Sequence, residues 1–167
     1  KFLYRCIMKS QIILCSGGAR SGKSEFAERL ALSMEGRKAY VATGQAFDEE
    51  MVDRIKKHQE RRGNIWTNFE IPLYLAEEWQ HISSVADVIL IDCLTMFTTN
   101  HMMAHGSIQG QEDANRLEDM VLSELEALLN LIKVSDDKIV IFVTNEIGLG
   151  IVPDNKLARY FRDIAGR

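Results

Sequence analysis

Gly17-Gly18-Ala19-Arg20-Ser21-Gly22-Lys23-Ser24 is the stretch of this chain best equipped to do chemistry. Glycines at 17 and 22 let the backbone curl until successive N–H groups face inward as a nest for an anion. A helix starting near Ser24 would add its positive end. Lys23 can then reach the β- and γ-phosphates of a nucleotide, and the Ser24 hydroxyl can ligate Mg²⁺. The spacing Gly-x-x-x-x-Gly-Lys-Ser is that of a phosphate-binding P-loop, and a plain glycine-rich turn has no need of Lys-Ser after its last glycine. Asp92 is the natural partner. It ends an apolar run, where a P-loop protein places the acid that holds Mg²⁺ directly or through water. Taken alone, an aspartate there could equally cap the next helix.

His58 is a second centre. It stands three residues after Ile55 and seven after Met51, so it shares their helical face, and Arg61 and Arg62 follow it. A neutral imidazole is a good nucleophile toward phosphorus near neutral pH, and guanidiniums can steady a phosphate. The same residues at the end of a helix would also simply suit its macrodipole, so spacing alone leaves their role open. His101 and His105 have the spacing of metal ligands without an evident third ligand. They read as structural, and His81 reads as a surface helix residue.

These residues must be positioned by alternating strands and helices. Strands are expected at Gln11–Cys15, Ala39–Ala42, Trp66–Glu70, Val88–Asp92 and Lys138–Thr144, of which Val88–Asp92 is an unbroken apolar run of the sort a parallel sheet buries on both faces. Helices are expected at Ser24–Met34, Asp48–Arg61, Leu73–Ile82 and Pro153–Ile164. Another is marked by the stripe Leu117, Val121, Leu125, Leu128 and Ile132. The helix at Asp48–Arg61 gains support from the pairs Glu50–Arg54 and Asp53–Lys57. Met102–Gln111 reads as a mobile loop. The alternation predicts an α/β fold, a P-loop NTPase-like three-layer sandwich with a mostly parallel central sheet. Residues 8–167 form one domain on this reading, with Met8 as the natural start and residues 1–7 an upstream remnant.

A length of 167 residues suits one domain, and 46% apolar with 26% charged residues excludes a disordered chain. A net charge of −4 argues against a general nucleic-acid binder while leaving room for a local basic pocket. Cys6, Cys15 and Cys93 match no zinc or disulfide spacing. Cys15 and Cys93 read as small core residues, and a reducing, cytoplasmic setting is expected. No apolar stretch approaches the length of a membrane span, and the charged start does not suit a signal peptide.

Several segments together resemble one family. They are the P-loop with Ala27-Glu28 after it, Tyr40-Val41-Ala42-Thr43, and Asp48-x-Glu50-Met51-x-x-Arg54-Ile55-x-x-His58-x-x-x-Arg62. They continue with Trp66, Glu70-x-Pro72-x-x-Leu75, Asp92-Cys93-Leu94-Thr95, Thr144 through Pro153, and Arg159-x-Phe161 through Arg167. The chain is similar, from about Gln11 to its last residue, to the bifunctional adenosylcobinamide kinases / adenosylcobinamide-phosphate guanylyltransferases of cobalamin biosynthesis. The resemblance implies phosphorylation of adenosylcobinamide with ATP or GTP, then transfer of GMP from GTP to adenosylcobinamide phosphate through a guanylyl-histidine at His58. It implies that Gly17 to Ser24, Ala42, Thr43, Gly44, Gln59, Glu60, Arg61, Arg62, Glu70 and Asp92 contact the nucleotide, with Mg²⁺ on Ser24 and Asp92. Lys23 would join His58 as a catalytic group. The resemblance further implies a homotrimer, and a helix and strand continuing past Arg167. Gly63 stands where the family often has proline.

Two rivals remain at this point. Another P-loop small-molecule or nucleotide kinase would need no histidine nucleophile. A GTP-dependent switch would read guanine with Asn-Lys-x-Asp, and Asn155-Lys156-Leu157-Ala158 lacks the aspartate.

Overall fold

Five short apolar runs hydrogen-bond into one all-parallel sheet in a computed structural model that describes residues 9–45 and 63–167. The strands are β1 (Gln11–Gly17), β2 (Lys38–Ala42), β3 (Trp66–Glu70), β4 (Val88–Asp92) and β5 (Ile139–Asn145), in the spatial order β1-β5-β4-β2-β3. The helices are α1 (Lys23–Ser33), α2 (Leu75–Val85), α3 (Leu94–His105), α4 (Gln111–Val134) and α5 (Lys156–Gly166).

Alternation along the strands sorts the core into two layers of side chains. Val41, Ile89, Ile91, Val140 and Phe142 pack under Leu75, Trp79 and Ile82 of α2, Phe97 of α3, Leu117, Val121, Leu128 and Ile132 of α4, and Ile164 of α5. On the other face Cys15, Tyr40, Val88, Leu90, Ile141 and Val143 meet Ala27 and Ala31 of α1. A sheet with helices on both faces is the predicted three-layer α/β architecture. Cys15 and Cys93 are buried free thiols, and burial pushes both above the usual thiol range. Among the described residues no helix is long and apolar enough to cross a membrane.

Strand register aligns the functional residues. Gly17 lies opposite Asn145, Asp92 opposite both Val143 and Ala42, and Ala42 opposite Glu70. The carboxyl ends of all the strands therefore form one row, the edge at which open parallel sheets hold ligands.

Some boundaries differ from the sequence reading. The expected loop at Met102–Gln111 is a helix as far as His105, the end of α3, an element that hydrophobic periodicity does not reveal. Thr95, Phe97, Thr98, Asn100, His101 and Met102 are all buried, so α3 has no single apolar stripe to read. α5 begins at Lys156 rather than Pro153, because the Asn155 side chain caps it by accepting from the Ala158 N–H at 3.0 Å. The helix expected at Asp48–Arg61 lies outside the described residues.

The opposite, amino-terminal side of the sheet is held by Asp87. Its carboxylate accepts from the Arg37 backbone N–H at 2.9 Å and from the Arg37 Nε and Nη2 at 3.0 Å each, and Lys138 Nζ lies 3.5 Å away. Gly36 must be glycine here. Its φ is +107°, and a Cβ would sit 2.9 Å from the Asp87 Cβ. Hydrogen bonds from Arg37 outweigh partial burial and hold the Asp87 carboxyl well below the usual carboxylate range. A carboxylate with a depressed folded-state pKa stabilises the fold above its unfolded value and loses that contribution as pH falls. Asp87→Asn is expected to cost about 1 kcal/mol at pH 7, a figure discounted for the partly exposed site. The gap to the wild type should close below about pH 4, the unfolded range. Urea denaturation at a series of pH values checks both the size and the direction.

Candidate active site

The turn leaving β1 is built for close approach of an anion. Arg20 (φ 57°) and Gly22 (φ 82°) both take left-handed backbone, and α1 starts at Lys23 immediately after. Left-handed and right-handed residues in succession turn their amides to one side, which makes a nest. At Gly17 a Cβ would lie 2.7 Å from Ser21 Oγ, so a side chain there would displace that hydroxyl. Lys23 Nζ folds back to donate to the Gly18 carbonyl at 3.2 Å, so the ammonium lies across the loop whose amides it complements. Gly18, Ala19, Arg20 and Ser21 are exposed, and Lys23 and Ser24 half-buried.

Asp92 ends β4 on the side that α1 covers, continuing the alternation of Val88 and Leu90. β5 separates β4 from β1, which sets Asp92 about 10 Å across the sheet from the cradle at two strand spacings. Tyr40 Oη donates to Asp92 Oδ2 at 2.9 Å and fixes the rotamer of that carboxylate. The Cys93 thiol is buried and bonded to Thr95 Oγ1 at 3.0 Å, and the charges of Asp92 and Lys23 act on it in opposite directions. Burial raises its pKa most, Asp92 raises it further, and Lys23 lowers it.

Behind Asp92 lies a buried polar clamp. Thr43 Oγ1 donates to the Cys93 carbonyl at 2.7 Å and accepts from the Cys93 N–H at 2.8 Å. The Thr43 N–H donates to the Asp92 carbonyl at 3.0 Å. Asn100 Nδ2, from α3, donates to the Thr43 carbonyl at 2.7 Å and to the Pro72 carbonyl at 3.0 Å. Asn145 Nδ2 donates to Thr95 Oγ1 at 3.0 Å, joining β5 to the first turn of α3. The loops after β2, β3 and β4 and the end of β5 are thereby tied together by buried hydrogen bonds, although Asn100 Oδ1 has no partner among the described residues.

The structure thus brings together the predicted Gly17–Ser24 loop, Ala42, Thr43, Gly44, Glu70 and Asp92 at one edge of the sheet. Thr43 differs from a ligand contact in kind. It is wholly buried, and its hydroxyl, N–H and carbonyl are all engaged in the clamp. It shapes the site rather than facing into it. His58, Gln59, Glu60, Arg61 and Arg62 lie outside the described residues. His101 packs edge-on against Phe97 (centroids 4.4 Å apart) and Tyr74 (6.2 Å), and burial pushes its pKa down against an opposing pull from Glu124. His81 is exposed.

Sequence reasoning missed the roles of Tyr40 and Asn100. A signal for Tyr40 existed. A tyrosine inside a buried strand needs a partner for its hydroxyl, and the diagonal neighbour two residues ahead on the adjacent strand is Asp92. Asn100 left no such trace, because its partners are carbonyls far away in the chain.

Two substitutions separate these supports. Asn100→Ala leaves the Thr43 and Pro72 carbonyls without their donor and is expected to cost about 2 kcal/mol in urea denaturation. Tyr40→Phe keeps the ring and frees Asp92. It should lower stability by about 1 kcal/mol in the same denaturation, the net worth of one hydrogen bond.

The chain matches known proteins over most of its length. Residues 13–167 match the model of the family described as cobinamide kinase / cobinamide phosphate guanyltransferase. The chain is 37% identical over 165 residues to the bifunctional adenosylcobalamin biosynthesis protein CobU of Escherichia coli (strain K12), covering 93% of this chain and 86% of that protein. It is 39% identical over 165 residues to the protein of the same name from Salmonella typhimurium, with the same coverage. The bifunctional adenosylcobalamin biosynthesis protein CobP of Pseudomonas aeruginosa is 40% identical over 153 residues, covering 92% and 82%. A phosphate cradle facing Asp92 along the carboxyl edge of a parallel sheet, together with a family match over nearly the whole length, establishes that the chain belongs to the cobinamide kinase / cobinamide phosphate guanyltransferase family.

Proposed function

We propose that this chain phosphorylates the aminopropanol hydroxyl of adenosylcobinamide with ATP or GTP, then transfers GMP from GTP to the new phosphate through His58. The observation that carries the reading is the convergence of the Gly17–Ser24 cradle and the Tyr40-held Asp92 on one sheet edge. A triphosphate seated in the cradle has its charge met by inward amides, the start of α1 and Lys23.

In the first reaction the acceptor hydroxyl oxygen attacks the γ-phosphorus. The bond to the β–γ bridging oxygen breaks, the hydroxyl proton is released, and the nucleoside diphosphate departs. In the second, a ring nitrogen of His58 attacks the α-phosphorus of GTP, and pyrophosphate leaves with the electrons of the α–β bridge. A phosphate oxygen of the acceptor then attacks the guanylyl phosphorus, the P–N bond breaks, and the imidazole is restored. Lys23 stabilises charge on the phosphates in both reactions. Gln59, Glu60, Arg61, Arg62, Ala42, Gly44 and Glu70 complete the nucleotide contacts on this reading.

The donor set at the cradle suits Mg²⁺, since a hydroxyl (Ser24) and a carboxylate oriented by Tyr40 are hard oxygen ligands, and this ion needs few from the protein when phosphates supply the rest. Bound there, it would neutralise phosphate charge. Buried free thiols at Cys15 and Cys93 fit a reducing cytoplasm, and a homotrimer is the assembly we expect, to be read from the mass in solution.

Incubation with α-labelled GTP should give an acid-labile, base-stable protein label that is absent from His58→Ala. Retention of label in that variant refutes the histidine assignment, and a chain that only makes adenosylcobinamide phosphate is a kinase alone. Lys23→Ala is expected to lower kcat/KM for both reactions by about 100-fold, measured with saturating acceptor.

A further inference from the structure

Asn145 stands where the two halves of the phosphate site meet. It ends β5, the strand that separates β1 with its phosphate loop from β4 with Asp92. On one side its register partner is Gly17, the first residue of the loop. On the other, Val143 two residues before it is the partner of Asp92. Ile141 and Val143 pack on the side of the sheet that α1 covers, and alternation carries the Asn145 side chain to that same side. Adjacent strands lie about 5 Å apart, so its amide stands beside the start of the loop.

The amide is anchored. Its Nδ2 donates to Thr95 Oγ1 at 3.0 Å, and that buried hydroxyl is also bonded to Cys93 Sγ at 3.0 Å. One N–H of the amide is thereby engaged. The second has no partner among the described residues, on a side chain that is only half-buried. Because an amide is planar, tying one N–H fixes the direction of the other. The charge of Lys23 reaches the Cys93 thiol, so this knot lies toward the lysine end of the cradle, the end suited to the β- and γ-phosphates.

We propose that the second N–H of the Asn145 amide donates to an oxygen of the terminal phosphate, and so lets the site tell a nucleoside triphosphate from a diphosphate. This rests on the cradle being the nucleotide site of the proposed function, and on nothing about the acceptor. A neutral donor is what the position calls for. A carboxylate between the phosphates and Asp92 would repel the phosphates, and an ammonium would pair with Asp92 instead. An amide does neither, and its hydrogen bond to an ionised oxygen is of the stronger kind. The loop amides, the start of α1 and Lys23 attract any phosphate in the cradle. A single aimed donor acts only on the oxygen in front of it, and a diphosphate puts none there.

The test is titration of fluorescent GTP and GDP analogues against the wild type, Asn145→Ala and Asn145→Asp, with no acceptor present. Asn145→Ala should bind the GTP analogue about tenfold more weakly and the GDP analogue about twofold more weakly at most. Asn145→Asp keeps the shape of the side chain and should weaken the GTP analogue further than alanine does, because it sets a negative charge against the phosphate. The ratio of the two affinities is read within one folded protein, so stability lost with the bond to Thr95 does not move it. Equal weakening of both analogues overturns the proposal, since it makes Asn145 a support of the loop alone. Unchanged affinity for the GTP analogue in both variants overturns it too. A wild type that binds neither analogue instead overturns the nucleotide site of the proposed function, a failure visible before any variant is compared.

Discussion

Thr43 and Cys93 exchange two hydrogen bonds where β2 and β4 end, at 2.7 and 2.8 Å, and the site is organised around that exchange. Beyond a sheet's last ladder bonds, neighbouring strands are free to splay. Here a side-chain hydroxyl continues the pairing past Asp92, and Asn100 extends it to the loop after β3 through Pro72. Thr43, Cys93 and Asn100 are all buried, so opening this knot would strand several polar atoms at once. The carboxylate of Asp92 therefore inherits its position from two directions, the clamp behind its backbone and the Tyr40 hydroxyl on its side chain.

What could be read in the sequence was what short-range physics determines. Lys23 and Ser24 after Gly22 announced a phosphate site because an anion nest needs those residue types in that order. Val88–Asp92 announced a central strand because only burial on both faces tolerates such a run. α3 stayed hidden for the opposite reason. Its Thr95, Thr98, Asn100 and His101 look like solvent-facing residues, yet they are buried between the sheet and its neighbours, and polarity then misstates exposure. The strand order was not legible either. That β5 should come between β1 and β4 depends on pairings between residues more than forty apart, such as Asp92 with Val143, and no local pattern encodes them. The candidate site was legible as a set of residues, while the supports that hold it, Tyr40 and Asn100, were not.

One cradle serving two reactions is economical in physical terms. On the proposed reading the inward amides and Lys23 hold a triphosphate in a single pose, and the outcome depends on which nucleophile arrives. A hydroxyl from the acceptor reaches the outermost phosphorus, and the imidazole reaches the innermost. The all-parallel register supports this by placing loops from every strand along one edge. Phosphates and acceptor can then be held by separate loops without rearranging the sheet.

Glu146 shows how a negative charge is tolerated beside a seat for anions. Its oxygen is occupied by the amides of Gly148 and Leu149, and a Cβ at position 148 would approach that oxygen to 3.0 Å. Gly148 is thus small for the sake of a neighbour's charge and not for its own backbone angles. A larger residue there would oblige that oxygen to give way by a few tenths of an ångström, so the space left empty at one position sets how squarely the neighbouring carboxylate meets its amides.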